Sequence, residues 1–167
     1  MIAGDKNATG SQDVPPNYAV QWLCRDGVNP NPNGTVANCA VGDEVQMWIA
    51  FPQCWDGVNL DSPNHQSHMA YLNYANPPQF SVCPSTHPYE IPAITEILHI
   101  PVLPGENPLH WRLTSDMTSL AGGGGLSAHA DWMLAWNLTT FSAFVVNCLN
   151  GQVDCFVGLL GDGRALY

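Results

Sequence analysis

The chain has 167 residues and a formal net charge of −10 at pH 7, because only four lysines and arginines oppose fourteen aspartates and glutamates. Four scattered cations cannot neutralise a row of phosphates, which excludes nucleic-acid binding, and the same deficit excludes attraction to an anionic membrane surface. Charged residues make up only 11% of the chain, so its surface must be polar but mostly uncharged, which suits hydroxyl-rich partners better than ionic ones.

The first half of the chain is predicted to form short strands joined by turns. Prolines and glycines interrupt it throughout, which argues against long helices. Residues 19–24 alternate in polarity, and residues 44–51 show the clearest period of two, as expected for half-buried strands. Between them, residues 25–38 contain the run NPNPNG and are predicted to form an exposed loop.

The next part of the chain is also predicted to be strand and loop. Residues 94–102 are a nearly continuous apolar run, which predicts a strand covered on both faces. Residues 109–113 alternate in polarity again and predict another strand. Residues 122–125 are four glycines in a row, which predict a loop because glycine favours neither helix nor strand.

One helix is predicted, over about residues 139–149. Its apolar residues recur at the spacing that places them on one buried face. They are Phe141, Phe144, Val145, Cys148 and Leu149. Asn137 or Thr139 would cap its start and Gly151 its end. We therefore predict a single domain, residues 1–167, with a mainly β fold: a disulfide-stapled β-sandwich or jelly-roll with one C-terminal helix.

Six cysteines, an even number, predict three disulfides and an oxidising compartment. Their spacing favours the local pairs Cys24–Cys39, Cys54–Cys83 and Cys148–Cys155. A zinc site is the alternative, but no two cysteines stand at C-x-x-C spacing. N-glycosylation sequons begin at Asn7, Asn33 and Asn137, which indicates a eukaryotic secretory route. The disulfides and sequons thus predict a secreted, extracellular chain. Since neither a membrane span nor a signal peptide is visible, the secreted chain would be a mature or trimmed form.

Three polar segments stand out, at residues 54–71, 83–88 and 127–132. Loops of this kind on a β scaffold are where binding and catalytic sites are usually built. Within them, four imidazoles and a carboxylate are candidate ligands of a divalent metal. These candidates are His65, His68, His87, His129 and Asp61. In the alternative interpretation each histidine bonds its local backbone and is structural, which is also what we expect of His99 and His110.

The same segments allow acid–base chemistry and sugar binding without a metal. His129, oriented by Asp131, would transfer protons at neutral pH, and Tyr71 would act as an acid. The predicted substrate-binding residues are Trp55, Trp132 and Asp56. The two indole rings would stack on sugar rings, because each presents an apolar face and a polar edge.

At these segments the chain resembles a known family. The matching pieces are FPQCWDG at residues 51–57, LDSP at residues 60–63 with its continuation to residue 71, CPSTHP at residues 83–88 and SAHAD at residues 127–131. They are similar to those of DUF1996, a family of secreted domains of unknown function from fungi and actinobacteria that is often paired with WSC modules. The resemblance implies an extracellular protein of cell-wall polysaccharide biology. It also implies that this chain corresponds to the C-terminal portion of a longer family domain. Trimming of an upstream segment, a separate partner chain or a genuinely short homologue would each explain the difference, and a site shared with an upstream segment or partner chain would be only partly present here.

Two functional hypotheses follow. In the first, the chain is a secreted glycoprotein of the cell-wall space and a metal-assisted carbohydrate-active enzyme, a hydrolase, lyase or oxidase that acts on wall polysaccharide. In the alternative, it is a non-catalytic polysaccharide-binding or structural subunit of an extracellular assembly. Histidine rings that converge on one cleft would favour the enzyme, whereas rings that each bond local backbone would favour the alternative.

Overall fold

The computed structural model describes residues 1–13, 18–26, 34–73, 82–116, 123–155 and 158–165. The chain divides into two compact units, Met1–Trp132 and Met133–Tyr167. The first unit carries the three polar segments and the eight strands described below, and the second carries the helix. That the whole chain forms one domain stays a prediction.

The largest sheet is antiparallel, with its strands in the order β2-β3-β7. These strands are β2 (Val20–Cys24), β3 (Glu44–Ala50) and β7 (Thr95–Pro101). β3 forms where its alternating sequence predicts a strand, with Val45, Met47 and Ile49 buried. The register sets Val20 opposite Ile49 and Trp22 opposite Met47, so buried side chains of neighbouring strands lie side by side on one face.

β7 confirms the strand predicted within residues 94–102, but the predicted burial of that strand is not observed. The prediction that both its faces are covered is wrong, because the neighbours Ile97 and Leu98 are 38% and 45% exposed. Adjacent strand residues point to opposite faces, so solvent reaches both sides of β7. In the described part of the chain β7 pairs with β3 alone, which makes it an edge strand. A continuous apolar run does not distinguish this edge position from a central one.

Two smaller antiparallel sheets complete the first unit. β1 (Ile2–Gly4) pairs with β8 (His129–Asp131), and β4 (Cys54–Trp55) lies between β5 (Met69–Ala70) and β6 (Tyr89–Glu90). Ala3 of β1 and Ala130 of β8 are buried in one hydrophobic cluster with the inner face of the main sheet. Two sheets therefore enclose one core, which is the predicted sandwich arrangement.

Trp22 is the largest side chain in this core and is 1% exposed. Its indole Nε1–H donates a hydrogen bond to the Gly125 carbonyl, 3.2 Å away. Gly125 has φ +96°, and a Cβ at this position would lie 2.7 Å from the Trp22 ring. Only glycine fits here, because the backbone is left-handed and the ring leaves no room for a side chain. Gly124 and Gly125 are buried against the core, and Gly122 of the predicted glycine loop lies outside the described residues.

The strand predicted at residues 109–113 is wrong. Pro108–His110 forms a single 3-10 turn, and residues 111–113 continue without regular structure. Asn107 begins the turn, because its side-chain oxygen accepts a hydrogen bond from the Leu109 amide. A proline at the first position favours this turn, since its fixed φ suits a helix start.

The exposed loop predicted for residues 25–38 is partly wrong as well. Residues 34–37 are buried, and residues 27–33 lie outside the described part of the chain. The Cys24–Cys39 disulfide holds this part of the chain against the core. The Val36 amide donates to the Gly124 carbonyl at 2.8 Å, so the segment is anchored by backbone bonding too. Long-range contacts of this kind leave no local pattern in the sequence.

In the second unit, the helix begins at the predicted position. α1 spans Leu138–Phe144 and continues as a wider π-helical turn, Val145–Leu149. The Asn137 side-chain oxygen accepts hydrogen bonds from the amides of Thr139 and Thr140, so the predicted Asn137 cap is confirmed. These bonds satisfy two amide groups that have no partner within the helix.

The buried stripe predicted for this helix is wrong for most of its length. No residue of α1 is buried, and of the five stripe residues only Cys148 is. The π-helical turn has more residues per turn than an α-helix, so it shifts Cys148 and Leu149 away from the predicted face. Phe141 and Phe144 lie in the regular α-helix and are half-buried, with their rings against the exposed Trp136. The C-terminal cap is Asn150, where the sequence predicted Gly151.

All three predicted disulfides are present, and no cysteine remains for a zinc site. They join Cys24 to Cys39, Cys54 to Cys83 and Cys148 to Cys155. The protein is thus a mainly β, disulfide-stapled fold with one C-terminal helix, as the sequence predicts. No helix within the described ranges is long and apolar enough to cross a membrane.

Candidate functional site

Two of the three polar segments meet at the sheet β5-β4-β6. β4 and β5 belong to the first segment, and β6 directly follows the second. The Cys54–Cys83 disulfide joins the two segments covalently, and its Cys54 half is fully buried. A ring nitrogen of His87, Nε2, also lies 3.2 Å from the Ser67 carbonyl. The structure therefore brings these two segments together in one rigid surface.

Trp55 and Tyr89 form an aromatic pair on this sheet. They lie opposite each other in the register, with ring centroids 5.9 Å apart and ring planes at 49°. The Trp55 Nε1–H donates to the Asn59 carbonyl at 2.6 Å, which fixes the orientation of the indole. Gly57 lies beneath the Tyr89 ring, at φ +80°, and a Cβ there would overlap that ring. We call Trp55, Asp56, His87 and Tyr89 the aromatic surface.

Asp56 holds the turn that supports the aromatic surface. Its Oδ1 accepts hydrogen bonds from the amides of Val58 and Asn59, each at 2.9 Å, and its Oδ2 accepts one from Asn59 Nδ2 at 2.7 Å. The side-chain amide of Asn59, followed by these two backbone amides, lowers the pKa of Asp56 to about 2. Asp56 therefore stays ionised and positions Asn59, whose backbone carbonyl accepts the hydrogen bond from the Trp55 indole N–H. Its contact with a substrate stays a prediction.

Residues 61–68 form a second feature, which we call the histidine loop. The Asn64 side-chain oxygen accepts hydrogen bonds from the amides of Gln66 and Ser67, which closes the loop. His65 has φ +56°, a left-handed conformation that costs a residue other than glycine about 1–2 kcal/mol. Such strain persists where the surrounding structure imposes it, and it is concentrated at functional sites.

Within the histidine loop, Asp61 orients His65. The Nδ1 atom of His65 lies 2.9 Å from both carboxylate oxygens, so Nδ1–H donates to Asp61 and the neutral ring keeps Nε2 as its proton acceptor. The side chain of His65 is 56% exposed. The hydrogen bond from His65, and then the Ser62 amide, hold the pKa of Asp61 below its usual range. A carboxylate that orients an accessible imidazole is the geometry of a general base.

The remaining candidate metal ligands bond separate partners. Nδ1 of His68 lies 2.9 Å from the Ser62 hydroxyl, Nδ1 of His87 lies 2.9 Å from the Thr86 hydroxyl, and Nδ1 of His129 lies 2.9 Å from the Ser127 carbonyl. Among the residues that the structure describes, no three His, Cys, Asp or Glu side chains are placed to hold a metal ion. The metal site stays a prediction.

The third polar segment lies next to the first through β1. Gly4 of β1 pairs with His129 of β8. On the side of the histidine loop, Gln66 Nε2 donates to the Gly4 carbonyl at 2.9 Å, and the Ile2 amide donates to the His65 carbonyl at 2.9 Å. β1 therefore connects the histidine loop to β8.

His129 lines a cleft of about 430 Å³. Its ring is oriented by the Ser127 carbonyl, where the sequence predicted Asp131, whose side chain is exposed. Two hydroxyl residues missed by the sequence analysis, Thr114 and Ser115, line the same cleft. They were missed because they stand in a stretch without any recognisable spacing.

Asp116, also missed, organises the segment beside this cleft. It accepts hydrogen bonds from the Ser127 hydroxyl at 2.6 Å and from the amides of Gly125 and Leu113 at 2.7 and 2.8 Å. Partial burial alone would raise its pKa, but these hydrogen bonds outweigh burial and hold the pKa of Asp116 below its usual range. Only the tertiary contacts reveal this role.

Acid should destabilise the protein through Asp116. Because its pKa is lowered in the folded state, its contribution to stability is present above the unfolded pKa of about 3.9 and is lost as pH falls below that value. We expect the melting temperature to fall between pH 5 and pH 2. Asp116→Asn should be less stable at pH 5 and show a shallower fall. Equal slopes in both proteins would contradict this role.

Two other predicted residues serve the core. The Tyr71 hydroxyl donates to the Ala50 carbonyl at 2.8 Å, and burial raises the pKa of Tyr71 to about 12. An efficient acid has a pKa near the working pH, so this geometry does not favour Tyr71 as one. Trp132 packs against the hydrophobic core, and its amide donates to the Met1 carbonyl. The catalytic role of Tyr71 and the sugar-binding role of Trp132 stay predictions.

Comparison with known protein families assigns the first unit. A family model described as a domain of unknown function (DUF1996) matches residues 1–136. The chain belongs to this family. The DUF1996 match spans the aromatic surface, the histidine loop and the His129 cleft, and it ends before α1 begins. Neither the curated proteins nor the solved structures contain a match to the chain.

The segments that resemble other DUF1996 proteins have clear structural roles in this one. The FPQCWDG run supplies β4, one half of a disulfide, the Asp56 turn and the glycine beneath Tyr89. The run from residue 60 to residue 71 forms the histidine loop and β5. Both runs lie within the residues that the family model matches, and both build the candidate site.

Proposed function

We propose that this protein is a secreted glycoprotein of the extracellular or cell-wall space that binds neutral polysaccharide through the aromatic surface. The observation that carries the proposal is the Trp55–Tyr89 pair, held in place by a disulfide and by the Asp56 turn. Aromatic faces stack on the apolar faces of sugar rings, and a preorganised pair does so with little loss of entropy.

The surroundings of the pair support a neutral, hydroxyl-rich ligand. Tyr89 is 57% exposed, and Val58 and Leu60 nearby in the chain are also exposed, so apolar contact area is available. The few charges of the chain leave little attraction for an ionic ligand.

Secretion is supported by the three disulfides, which persist in oxidising compartments. Two of the sequon asparagines, Asn7 and Asn137, are exposed, and Asn33 lies outside the described residues. Asn137 caps α1 through its side-chain oxygen, and a glycan attaches to the side-chain nitrogen, so capping and glycosylation are compatible at this position.

Substitution of the aromatic pair tests the proposal. Trp55→Ala and Tyr89→Ala should each weaken binding to an insoluble neutral wall polysaccharide about tenfold, because each removes a stacking contact worth about 1.4 kcal/mol. Depletion binding assays measure the affinity. Trp136→Ala, which changes an exposed tryptophan of the second unit, is the control and should bind like the unmodified protein. Unchanged binding by both surface variants would refute the proposal.

The second candidate function is acid–base catalysis on the same polysaccharide, carried by the Asp61–His65 pair. His65 Nε2 would accept a proton from a water molecule as that water attacks the anomeric carbon, and the glycosidic oxygen would leave with a proton taken from solvent. Asp61 would stabilise the imidazolium that forms. In the metal-assisted version, which metal analysis of natively purified protein tests, a divalent cation would take part as well.

Asp61→Asn separates this candidate from simple binding. It should lower the release of reducing ends about 10²-fold and leave polysaccharide binding intact, because the general base loses its orienting carboxylate. Asp162→Asn, in the second unit, is the matched control. If the unmodified protein binds polysaccharide but releases no reducing ends, the catalytic candidate is refuted and binding remains the proposed function.

A further inference from the structure

A second cleft lies on the outer face of the main sheet. It has a volume of about 520 Å³, within the range of small-ligand pockets. It is lined by Tyr18, Gln21, Trp48, Gln53, Tyr71 and Thr95, together with the small Ala50. These side chains supply three aromatic rings, two amides and three hydroxyls, and among the described residues that line the cleft none is charged. The cleft shares no residue with the aromatic surface.

Trp48 is held in this cleft by a row of hydrogen bonds along β3. Its Nε1–H donates to Gln46 Oε1 at 3.0 Å, and Gln46 Nε2 donates to Glu44 Oε1 at 2.8 Å. Glu44 is fixed in turn by His99 of β7, at 2.6 Å. The indole ring therefore has one orientation before any ligand arrives, which lowers the entropy cost of stacking on it.

Gln53 supplies an acceptor without a donor. Its Oε1 is buried and has no hydrogen-bond partner, and it is the one side-chain polar atom in this condition among the described residues. A buried oxygen that has lost its hydrogen bonds to water and gained no donor in the protein destabilises the folded state. Such atoms are therefore uncommon in proteins, and a bound ligand can supply the missing donor. A hydroxyl group of a ligand in the cleft would be that donor once the Gln53 side chain rotates, since Oε1 has no accessible surface before a ligand binds.

The backbone beside the cleft is also strained. Tyr18 has φ +42°, in the left-handed region that a tyrosine rarely adopts. On the opposite wall, the Tyr71 hydroxyl donates to the Ala50 carbonyl, so its oxygen retains acceptor capacity for a ligand hydroxyl. Nearby, Gln21 Nε2 donates to Asp13 at 2.8 Å, which fixes that amide. Rigid walls and local strain are the features of a preorganised binding site.

We propose that this cleft is a binding site for a short stretch of neutral glycan, separate from the aromatic surface. Aromatic rings would stack on sugar faces, and the two amides and the hydroxyls would bond the sugar hydroxyl groups. A purely apolar ligand would leave the amides unsatisfied, and a phosphorylated ligand would find no cation in the lining. The ligand class is that of the proposed function, but the residues that bind it are different.

NMR of the intact, disulfide-bonded protein tests the proposal, with the indole N–H signals assigned by single substitutions. The probes are cellohexaose, laminarihexaose, chitohexaose and mannohexaose. At least one should shift the Trp48 signal in a saturable manner. Gln53→Met should weaken that response at least tenfold without lowering the melting temperature, since it replaces the unpaired acceptor with an apolar group of similar size.

Trp55→Ala distinguishes binding in this cleft from polysaccharide binding at the aromatic surface. It should leave the Trp48 response intact, even if the aromatic surface binds nothing. The proposal is overturned if no probe shifts the Trp48 signal, or if Gln53→Met responds like the unmodified protein. It is also overturned if Trp55→Ala abolishes the Trp48 response, because one shared site would then account for both signals.

Discussion

Replacement of Trp22 by alanine should lower the free energy of unfolding by about 3–5 kcal/mol, the usual cost of removing a large aromatic side chain from a core. Trp22 is 1% exposed, and it joins the main sheet to the glycine segment through its bond to the Gly125 carbonyl. The substitution removes the ring and leaves that carbonyl without its donor. Urea denaturation followed by circular dichroism measures the change.

Two controls make this prediction specific. Trp22→Phe keeps a ring in the core and should cost less than the alanine variant, because it leaves a smaller cavity. Trp136→Ala removes a ring of the second unit that is 47% exposed and contacts only Phe141 and Phe144 among the described rings, so it should cost less than Trp22→Ala. A Trp22→Ala protein within about 1 kcal/mol of the original would show that Trp22 is not the centre of the core.

Removal of the Cys54–Cys83 disulfide should destabilise the first unit by about 3–4 kcal/mol. The bond joins residues 29 positions apart, and its loss enlarges the conformational freedom of the unfolded chain. The double variant Cys54→Ala/Cys83→Ala avoids a free thiol. It should also weaken polysaccharide binding, because the disulfide joins the two segments that carry Trp55 and Tyr89.

The Cys148–Cys155 bond is the matched comparison. It closes a loop of only 7 positions, in the second unit, so its removal should cost about 2–3 kcal/mol and leave binding unchanged. The unfolding free energies of both double variants, measured under the same conditions, test this order. A larger loss from the shorter loop, or unchanged binding without Cys54–Cys83, would contradict the account.

The features predicted correctly from the sequence are those that depend on local patterns. β3 has Val45, Met47 and Ile49 at alternate positions, and these three residues are buried on one face as the spacing predicts. The disulfides followed from cysteines that lie near one another in sequence. Asn137 is a strong helix-capping residue directly before an apolar stretch, and it caps the helix observed.

The incorrect predictions concern position in the tertiary structure. Residues 94–102 form a strand, but only the pairing of β7 shows that it stands at an edge. Residues 34–37 are buried because a disulfide and a distant glycine hold them, which a turn-rich sequence cannot reveal. The helix stripe was misassigned because its second half is a π-helical turn with a different spacing, and because the rings of its first half meet only the exposed Trp136.

The candidate site was predictable in its residue types but only partly in its geometry. The sequence identified Trp55, Asp61 and His65, and the structure places the first in an aromatic pair and the other two in a hydrogen-bonded pair. It missed Tyr89 and Asp116, whose roles arise from cross-strand pairing and from contacts with backbone amides. No spacing rule predicts either kind of contact.

The central claim is that the aromatic surface binds neutral polysaccharide, and a titration of the intact protein with soluble neutral oligosaccharides tests it most directly. The indole N–H signal of Trp55 reports on the surface, and that of buried Trp22 serves as an internal control. The account predicts a saturable shift of the Trp55 signal that Tyr89→Ala weakens about tenfold, while the Trp22 signal stays in place. A Trp55 signal that no oligosaccharide moves, in a folded protein with all three disulfides intact, would contradict it.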